Sequence, residues 1–242
     1  MSTATTNRIE EFNGETNEVA TKKATGSKKA EKKTEGGVVI ERIQPSVIEL
    51  EVIGTTQLLV CAWSFKAKKQ MLDKQMKKAT RGKEAKNPEE DYKNSRYQAV
   101  DPNGEYLWDG IPAGGVKGCL VNACRAVDGL PMTLAKRMVF VRSQGFTKDG
   151  QGLVRVYGEH KMHEGMVRID NGGTADIRFR AVYPQWSLKL QIEFLSSVIS
   201  AEQVCNLVEL AGFIEGLCEH RPGAPKSNTG DNGRFMIKER LV

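Results

Sequence analysis

The amino-acid sequence predicts an α+β fold whose core follows the order strand, helix, strand, strand, helix, strand. Two amphipathic helical patterns, at residues 115–128 and 201–217, each follow a strand-like segment and lead to another. The apolar and polar residues of 186–194 alternate, which predicts a half-buried strand. This order typically places two helices on one face of an antiparallel sheet.

The composition predicts a globular protein that does not span a membrane. The chain has 242 residues, of which 39% are hydrophobic, and its mean hydropathy is −0.44. That length can hold one good-sized domain or two small ones. No apolar run approaches the roughly 18 residues that a membrane span needs, and the polar amino-terminal segment has no signal-peptide core. We therefore expect a cytoplasmic protein with no membrane partner.

Residues 1–36 are rich in Thr, Glu and Lys and nearly free of large apolar side chains, so we expect a disordered tail followed by one domain at 37–242. The five cysteines have no CxxC spacing, and the chain has only three histidines. These numbers predict reduced core cysteines without a structural zinc site, and we expect no metal and no cofactor.

The first core strand is predicted at 47–53, a β-branched run that Gly54 ends. A basic helical arm is then inserted at about 64–105. From Lys66 to Arg96, eleven basic residues stand against five acidic ones, an excess equal to the whole formal charge of +6. Such a localised excess is typical of a protein that binds a polyanion, and a solubilising exposed helix is the alternative. The candidate phosphate contacts here are Lys68, Lys69, Lys77 and Lys78.

The first core helix is predicted at 115–128, after Gly110-Ile111-Pro112-Ala113. Lys117 in its first turn opposes the helix dipole unless it serves an external anion, and Arg125 two turns later faces the same way. A core strand at 137–143 follows. We also predict strand pairs at 137–145 with 153–160 and at 162–170 with 174–183, and an irregular segment at 92–108.

In the last of these strands, Arg178 and Arg180 alternate with apolar residues, which predicts one cationic face. After the strand at 186–194, Ser200 and Gln203 have capping-box spacing and open the second core helix. A loop rich in Gly, Pro and Asn separates it from a final strand at 233–238. Backbone amides and cations of this loop could cradle phosphates, and a solvated connector is the alternative. Its candidate ligands are His220, Arg221, Lys226 and Arg234.

Without its inserted hairpins and basic arm, the predicted order is βαββαβ, the ferredoxin-like (RRM-like) arrangement. RNA-recognition modules with this topology bind single strands on the open face of the sheet.

Three short segments resemble the RAMP superfamily, which includes the crRNA-binding backbone subunits of CRISPR effector complexes. They are Gly54-Thr55-Thr56-Gln57-Leu58-Leu59 after the first strand, Gly110-Ile111-Pro112-Ala113 with Lys117, and the glycine-rich loop that ends in Gly233-Arg234-Phe235. The resemblance covers about residues 38–242 and is closest to stand-alone relatives from bacteriophages and prophages. It implies binding along a nucleic-acid backbone, often by protomers packed head to tail, and the bacterial host cytoplasm as location. Glu219, Asp231 and the looser glycine spacing depart from the CRISPR subunits.

We therefore expect a non-catalytic protein that binds single-stranded RNA or DNA and assembles as a homo-oligomer or filament. Exposed aromatic residues could stack on bases; the candidates are Tyr97, Tyr106, Trp108, Phe146 and Tyr157. One alternative is a structural or decoy phage protein that binds a host complex by imitating a CRISPR subunit. The other is a metal-independent ribonuclease with His220, His160 or His163 as general base.

Overall fold

The computed structural model describes residues 42–63, 65–78, 86–168, 175–225 and 228–239. Within these ranges the chain is an α+β fold with a sheet-rich hydrophobic core. The predicted tail at 1–36 and Lys226 lie outside the described residues. None of the described helices is long and apolar enough to cross a membrane.

The structure contains eleven strands among the described residues: β1 (Pro45–Gly54), β2 (Leu58–Val60), β3 (Tyr97–Val100), β4 (Tyr106–Pro112), β5 (Val139–Val141), β6 (Gly145–Phe146), β7 (Gly152–Tyr157), β8 (Lys161–Arg168), β9 (Ala175–Tyr183), β10 (Ser187–Leu195) and β11 (Phe235–Ile237). The helices are α1 (Phe65–Gln75), α2 (Pro88–Asn94), α3 (Ala113–Ala123), α4 (Met132–Met138) and α5 (Ala201–Ile214), and a 3-10 turn covers Cys124–Ala126.

The main sheet is organised around β1 and β10, which pair antiparallel over most of their length. β11 pairs with the other edge of β1, and β10 also pairs with β5 and with β7, each time antiparallel. Along β10, Leu188, Leu190 and Ile192 are buried whereas Lys189 between them is exposed. The alternation confirms the strand predicted at 186–194, and the strand predicted at 47–53 is likewise present as β1.

Helices α3 and α5 pack against each other and share one core with the inward-facing side chains of β1 and β10. The capping box predicted for α5 is present. Ser200 Oγ accepts a hydrogen bond from Gln203 N at 3.1 Å, and Gln203 Oε1 accepts one from Ser200 N at 2.9 Å. The helix ends before the predicted residue 217, because Gly216 adopts φ +66°, where a right-handed helix cannot continue.

Two regions differ from the sequence-based expectation. The segment 92–108 was expected to be irregular, but it holds the end of α2, all of β3 and the start of β4. The Asp101 carboxylate closes the β3–β4 turn by accepting hydrogen bonds from Asn103 N at 2.9 Å and Glu105 N at 2.7 Å. The strand expected at 137–145 is interrupted, since α4 extends to Met138 and leaves only the short β5 and β6.

Beyond β7 the main sheet continues through β4 and β3 to β6. The other three strands form a second sheet in the order β2, β9, β8. The pairing of β8 with β9 confirms the predicted hairpin of 162–170 with 174–183, whose Asn-Gly turn lies outside the described residues. Helix α2 packs on β9, whereas α1 has no extensive contact with any other described element. The basic arm therefore begins with a helix that stands apart from the core.

Candidate nucleic-acid interface

Two of the three segments that carry the family resemblance meet in the structure. Thr55 N donates a hydrogen bond to Arg234 O at 2.9 Å. Thr56 Oγ1 donates to Asp231 O at 2.7 Å and accepts from Arg234 N at 3.0 Å. These bonds join the loop after β1 to the end of the glycine-rich loop. That end of the loop is thus held against the core and is not a free connector.

The third segment, at the start of α3, lies across a cavity of about 360 Å³ from the beginning of the same loop. The α3 side of this cavity includes Gly115 and Gly118, and the facing side includes Glu219 and Arg221. Pro112 is the N-cap of α3 and supplies no side-chain hydrogen bond to its first amides. Backbone N–H groups next to a guanidinium are typical of phosphate-binding surfaces.

Arg221 is half-buried at this cavity, and its Nη1 donates a hydrogen bond to Cys218 O at 2.9 Å. Its neighbour His220 is exposed. Cys218 and His220 both have positive φ angles, +61° and +53°, a conformation that costs a residue with a Cβ roughly 1–2 kcal/mol. Such strained residues are frequent at binding sites.

Arg234 lies at the other end of the loop. Its Nη1 is 3.1 Å from Asp231 Oδ1, and its guanidinium carbon is 4.7 Å from the centroid of the Phe213 ring. The Phe213 side chain is 65% exposed. Arg234 is therefore held at the surface by an acid and an aromatic ring.

Lys117 does not line the cavity that the helix start borders. Its Nζ lies 3.8 Å from the centroid of the Phe140 ring on β5, and burial lowers the pKa of Lys117. Arg125 is exposed in the 3-10 turn, where its Nε approaches Met132 Sδ at 3.3 Å. The structure thus directs Lys117 to the edge of the sheet and does not bring it to the loop cations.

The expected cationic face of β9 is wrong for Arg180. Arg178 is exposed, but Arg180 is only 2% exposed and forms an ion pair with Glu219. The reason is that β9 leaves the solvent-exposed hairpin and enters the core between these two positions, as the burial of Ala181 and Tyr183 shows. Arg180 is therefore a structural cation beneath the cavity wall.

The four arm lysines are exposed, with different neighbours. Lys68 forms an ion pair with Asp149, and Lys78 Nζ lies 3.2 Å from Asp73 Oδ1. Among the described residues, Lys69 and Lys77 lie within ion-pairing distance of no carboxylate. Of the four, these two lysines have the positive charges that no carboxylate of the described residues neutralises.

A buried polar cluster around Asp109 is not predicted from the sequence. Asp109 Oδ2 lies 3.0 Å from Arg96 Nη1 and 3.2 Å from His160 Nε2, and it accepts a hydrogen bond from Tyr183 Oη at 3.1 Å. His160 Nδ1 lies 2.5 Å from the Tyr92 hydroxyl, so both of its ring nitrogens are engaged. No spacing rule could have found this cluster, because its members come from α2, the turn before β3, β4, the segment before β8 and the end of β9.

An open cleft of about 510 Å³ lies beside this cluster, where β4 and β7 separate. The rings of Tyr106, Trp108 and Tyr157 line it. Tyr97, another predicted stacking residue, is half-buried, and burial raises the pKa of its phenol to about 12. Tyr106, Tyr157 and Phe146 on β6 are exposed.

Three cysteines line the cavity between α3 and the glycine-rich loop: Cys61, Cys119 and Cys218. Burial raises the pKa of Cys61 to about 11 and that of Cys119 and Cys218 to about 12, so these groups are uncharged near neutral pH. The described part of the chain contains no cluster of three or more His, Cys, Asp or Glu side chains suited to a metal ion.

Comparison with models of known protein families and with curated proteins finds no match for this chain.

Proposed function

We propose that this protein binds single-stranded nucleic acid without catalysing a reaction on it. The observation that carries the proposal is the charge of α1 and the turn after it. Residues 65–78 contain six lysines and one acidic residue, Asp73, and α1 packs extensively against no other described element. An unpacked cationic helix contributes little to the fold but can neutralise phosphates of a partner strand.

We also propose that the core is ferredoxin-like. In the sheet, β11, β1, β10 and β5 are neighbours in that order, and each neighbouring pair is antiparallel. Along the chain, β5 follows α3 and β11 follows α5. This is the strand order that two interleaved βαβ units produce. The shared core of α3 and α5 with β1 and β10 agrees with that arrangement.

The second contact region of the proposal is the cavity between α3 and the glycine-rich loop. Gly115 of α3 and the half-buried Arg221 line this cavity, and the start of α3 has no side-chain cap, which supports the binding of one phosphate group here. His220 lies beside Arg221 at the surface. In this proposal the arm supplies general electrostatic attraction, whereas the cavity fixes the position of the backbone.

A second candidate function, binding to a protein complex, is favoured by the apolar face of the β8–β9 hairpin. Met166 is 71% exposed, and Met162 and Ile177 are 42% and 46% exposed. Alternate residues on paired strands share a face, so these three side chains point the same way. Met166 lies opposite Ile177, and Glu164 lies between Met162 and Met166. Exposed apolar groups of this kind mark contact surfaces for other proteins, including further copies of the same chain.

The test is binding of the purified protein to fluorescent single-stranded RNA, single-stranded DNA and duplex DNA over a salt series, with size-exclusion chromatography of each mixture. We expect tight binding to one single strand that weakens steeply with salt. Growth into large complexes on that strand supports assembly along it. Failure to bind any of the three polymers at low salt contradicts the proposal and favours a protein partner.

A further inference from the structure

We propose that the cleft between β4 and β7 binds one nucleotide, with its base against Tyr157 and its phosphate beside Arg155 and Lys189. The inference rests on the proposed function and adds a nucleotide site on another part of the molecule. None of the arm or loop residues discussed above takes part in it.

The cleft exists because β4 and β7 are paired over only part of their length. Gly110–Pro112 pair with Leu153–Arg155, and beyond Arg155 the edge of β7 that faces β4 has no partner strand among the described residues, since β10 pairs with the opposite edge. The start of β4 and the end of β7 then border an open volume of about 510 Å³. A cleft of this size can hold one base and its sugar.

Two cations lie near the Tyr157 ring: Arg155, which lines the cleft, and Lys189, which lies beside it on β10. The Arg155 guanidinium carbon is 5.0 Å from the centroid of its ring, and Lys189 Nζ is 5.6 Å from it. The Tyr157 side chain is 36% exposed. No carboxylate of the described residues lies within ion-pairing distance of Arg155 or Lys189. The two charges are therefore available to a bound anion.

The three side chains lie on the open face of the sheet. Tyr157 pairs with Ser187, and Lys189 lies two residues further along β10, on the same face. Val156 and Leu188, which point the other way, are buried in the core. An aromatic ring on an open sheet face, flanked by cations, can stack on a base while the cations contact the adjoining phosphate.

The inner part of the cleft is rigid. Trp108 packs over Gly110 and Gly145, where an added Cβ would approach its ring atoms to 2.9 Å and 2.6 Å. At the floor, the Asp109 carboxylate is only 7% exposed and is held by Arg96 and Tyr183. The cleft thus has the Asp109 carboxylate inside and both Arg155 and the exposed Glu159 among its outer residues. The inner end suits a base that carries N–H donors, and the phosphate lies on the Arg155 side.

The test compares the affinities of variant proteins for the nucleic-acid strand that the wild-type protein binds. We expect Tyr157→Leu to weaken binding about 5- to 150-fold, the usual range for loss of one stacked base, with an unchanged salt slope. Tyr157→Phe, which keeps the ring, should bind like the wild type. Arg155→Gln with Lys189→Gln should weaken binding and lower the salt slope by about 0.7 for each lost phosphate contact.

Trp63→Leu is the matched control, because Trp63 is an exposed aromatic residue outside the cleft. A Tyr157→Leu protein that folds and binds as tightly as the wild type overturns the inference and leaves the proposed function standing. Wild-type protein that binds no strand overturns both. Equal losses in Tyr157→Leu and Trp63→Leu contradict a site in this cleft.

Discussion

Helices α1 and α5 are similar in length, but α5 packs against the core whereas α1 has no extensive contact with any other described element. α5 begins with a complete capping box and buries Val204, Leu207 and Val208 in the core. In α1 the first turn contains no acidic residue, and Leu72 is 54% exposed. Burial of an apolar face stabilises α5, whereas α1 has no comparable contact among the described elements.

This difference separates residues that maintain the fold from residues available to a partner. The basic charge of α1 serves no packing role, since its lysines are exposed at 68–78. By contrast, Arg180 is a buried cation whose partner is the chain's own Glu219. A positive residue in the sequence is therefore a binding candidate only where the fold leaves it exposed.

The largest expected effect is on the stability of the core helix. We expect Leu207→Ala in α5 to lower the free energy of unfolding by about 2–5 kcal/mol, because it removes buried methyl groups and leaves a cavity. The same substitution in α1, Leu72→Ala, should change it by less than about 0.5 kcal/mol. Urea unfolding followed by circular dichroism measures both. Similar losses in the two variants would mean that α1 is packed against the body in solution.

A smaller effect is expected at the two arginines of β9. Arg180→Ala leaves the Glu219 carboxylate without its partner and should cost about 1–3 kcal/mol, below the cost for a fully buried pair because Glu219 is 34% exposed. Arg178→Ala should be neutral within about 0.5 kcal/mol. Thermal unfolding of the two variants provides the comparison. The account of Arg180 as a structural cation fails if both variants have the same unfolding temperature as the wild type.

The cap of α5 has the smallest stability effect. Ser200→Ala removes the acceptor for Gln203 N and should cost about 0.5–2 kcal/mol. Ser200→Asp, which keeps an acceptor at the N-cap, should recover most of that loss. The denaturant concentrations at the unfolding midpoints of the three proteins test this prediction. Equal midpoints for the wild type and Ser200→Ala would mean that the cap does not contribute to stability.

The sequence was most informative where a single local signal determines the structure. The alternation in β10 and the capping box of α5 both depend on neighbouring residues, and both elements formed as expected. The sequence pattern does not predict β3 and the start of β4, because Tyr97–Val100 is short and shows no strict alternation. The turn signal at Asp101–Gly104 was present between them and could have indicated a hairpin.

The candidate sites were harder to predict because they depend on tertiary contacts. Spacing alone could place Arg178 and Arg180 on one strand face, but it could not show that the strand enters the core between them. In the Asp109 cluster, Arg96 is 13 residues from Asp109 and 64 residues from His160. The cleft near Tyr157 likewise depends on where β4 leaves β7.

The most direct test of the arm's role is the salt dependence of strand binding by matched double variants. Lys69→Gln with Lys77→Gln removes two exposed charges from the arm, and Lys136→Gln with Arg137→Gln removes two exposed charges from α4. We expect the arm variant to bind every strand sequence more weakly and to lower the salt slope by about 0.7 for each lost contact, with the α4 variant unchanged. Identical slopes for the arm variant and the wild type would contradict the assignment of the arm as the nucleic-acid contact.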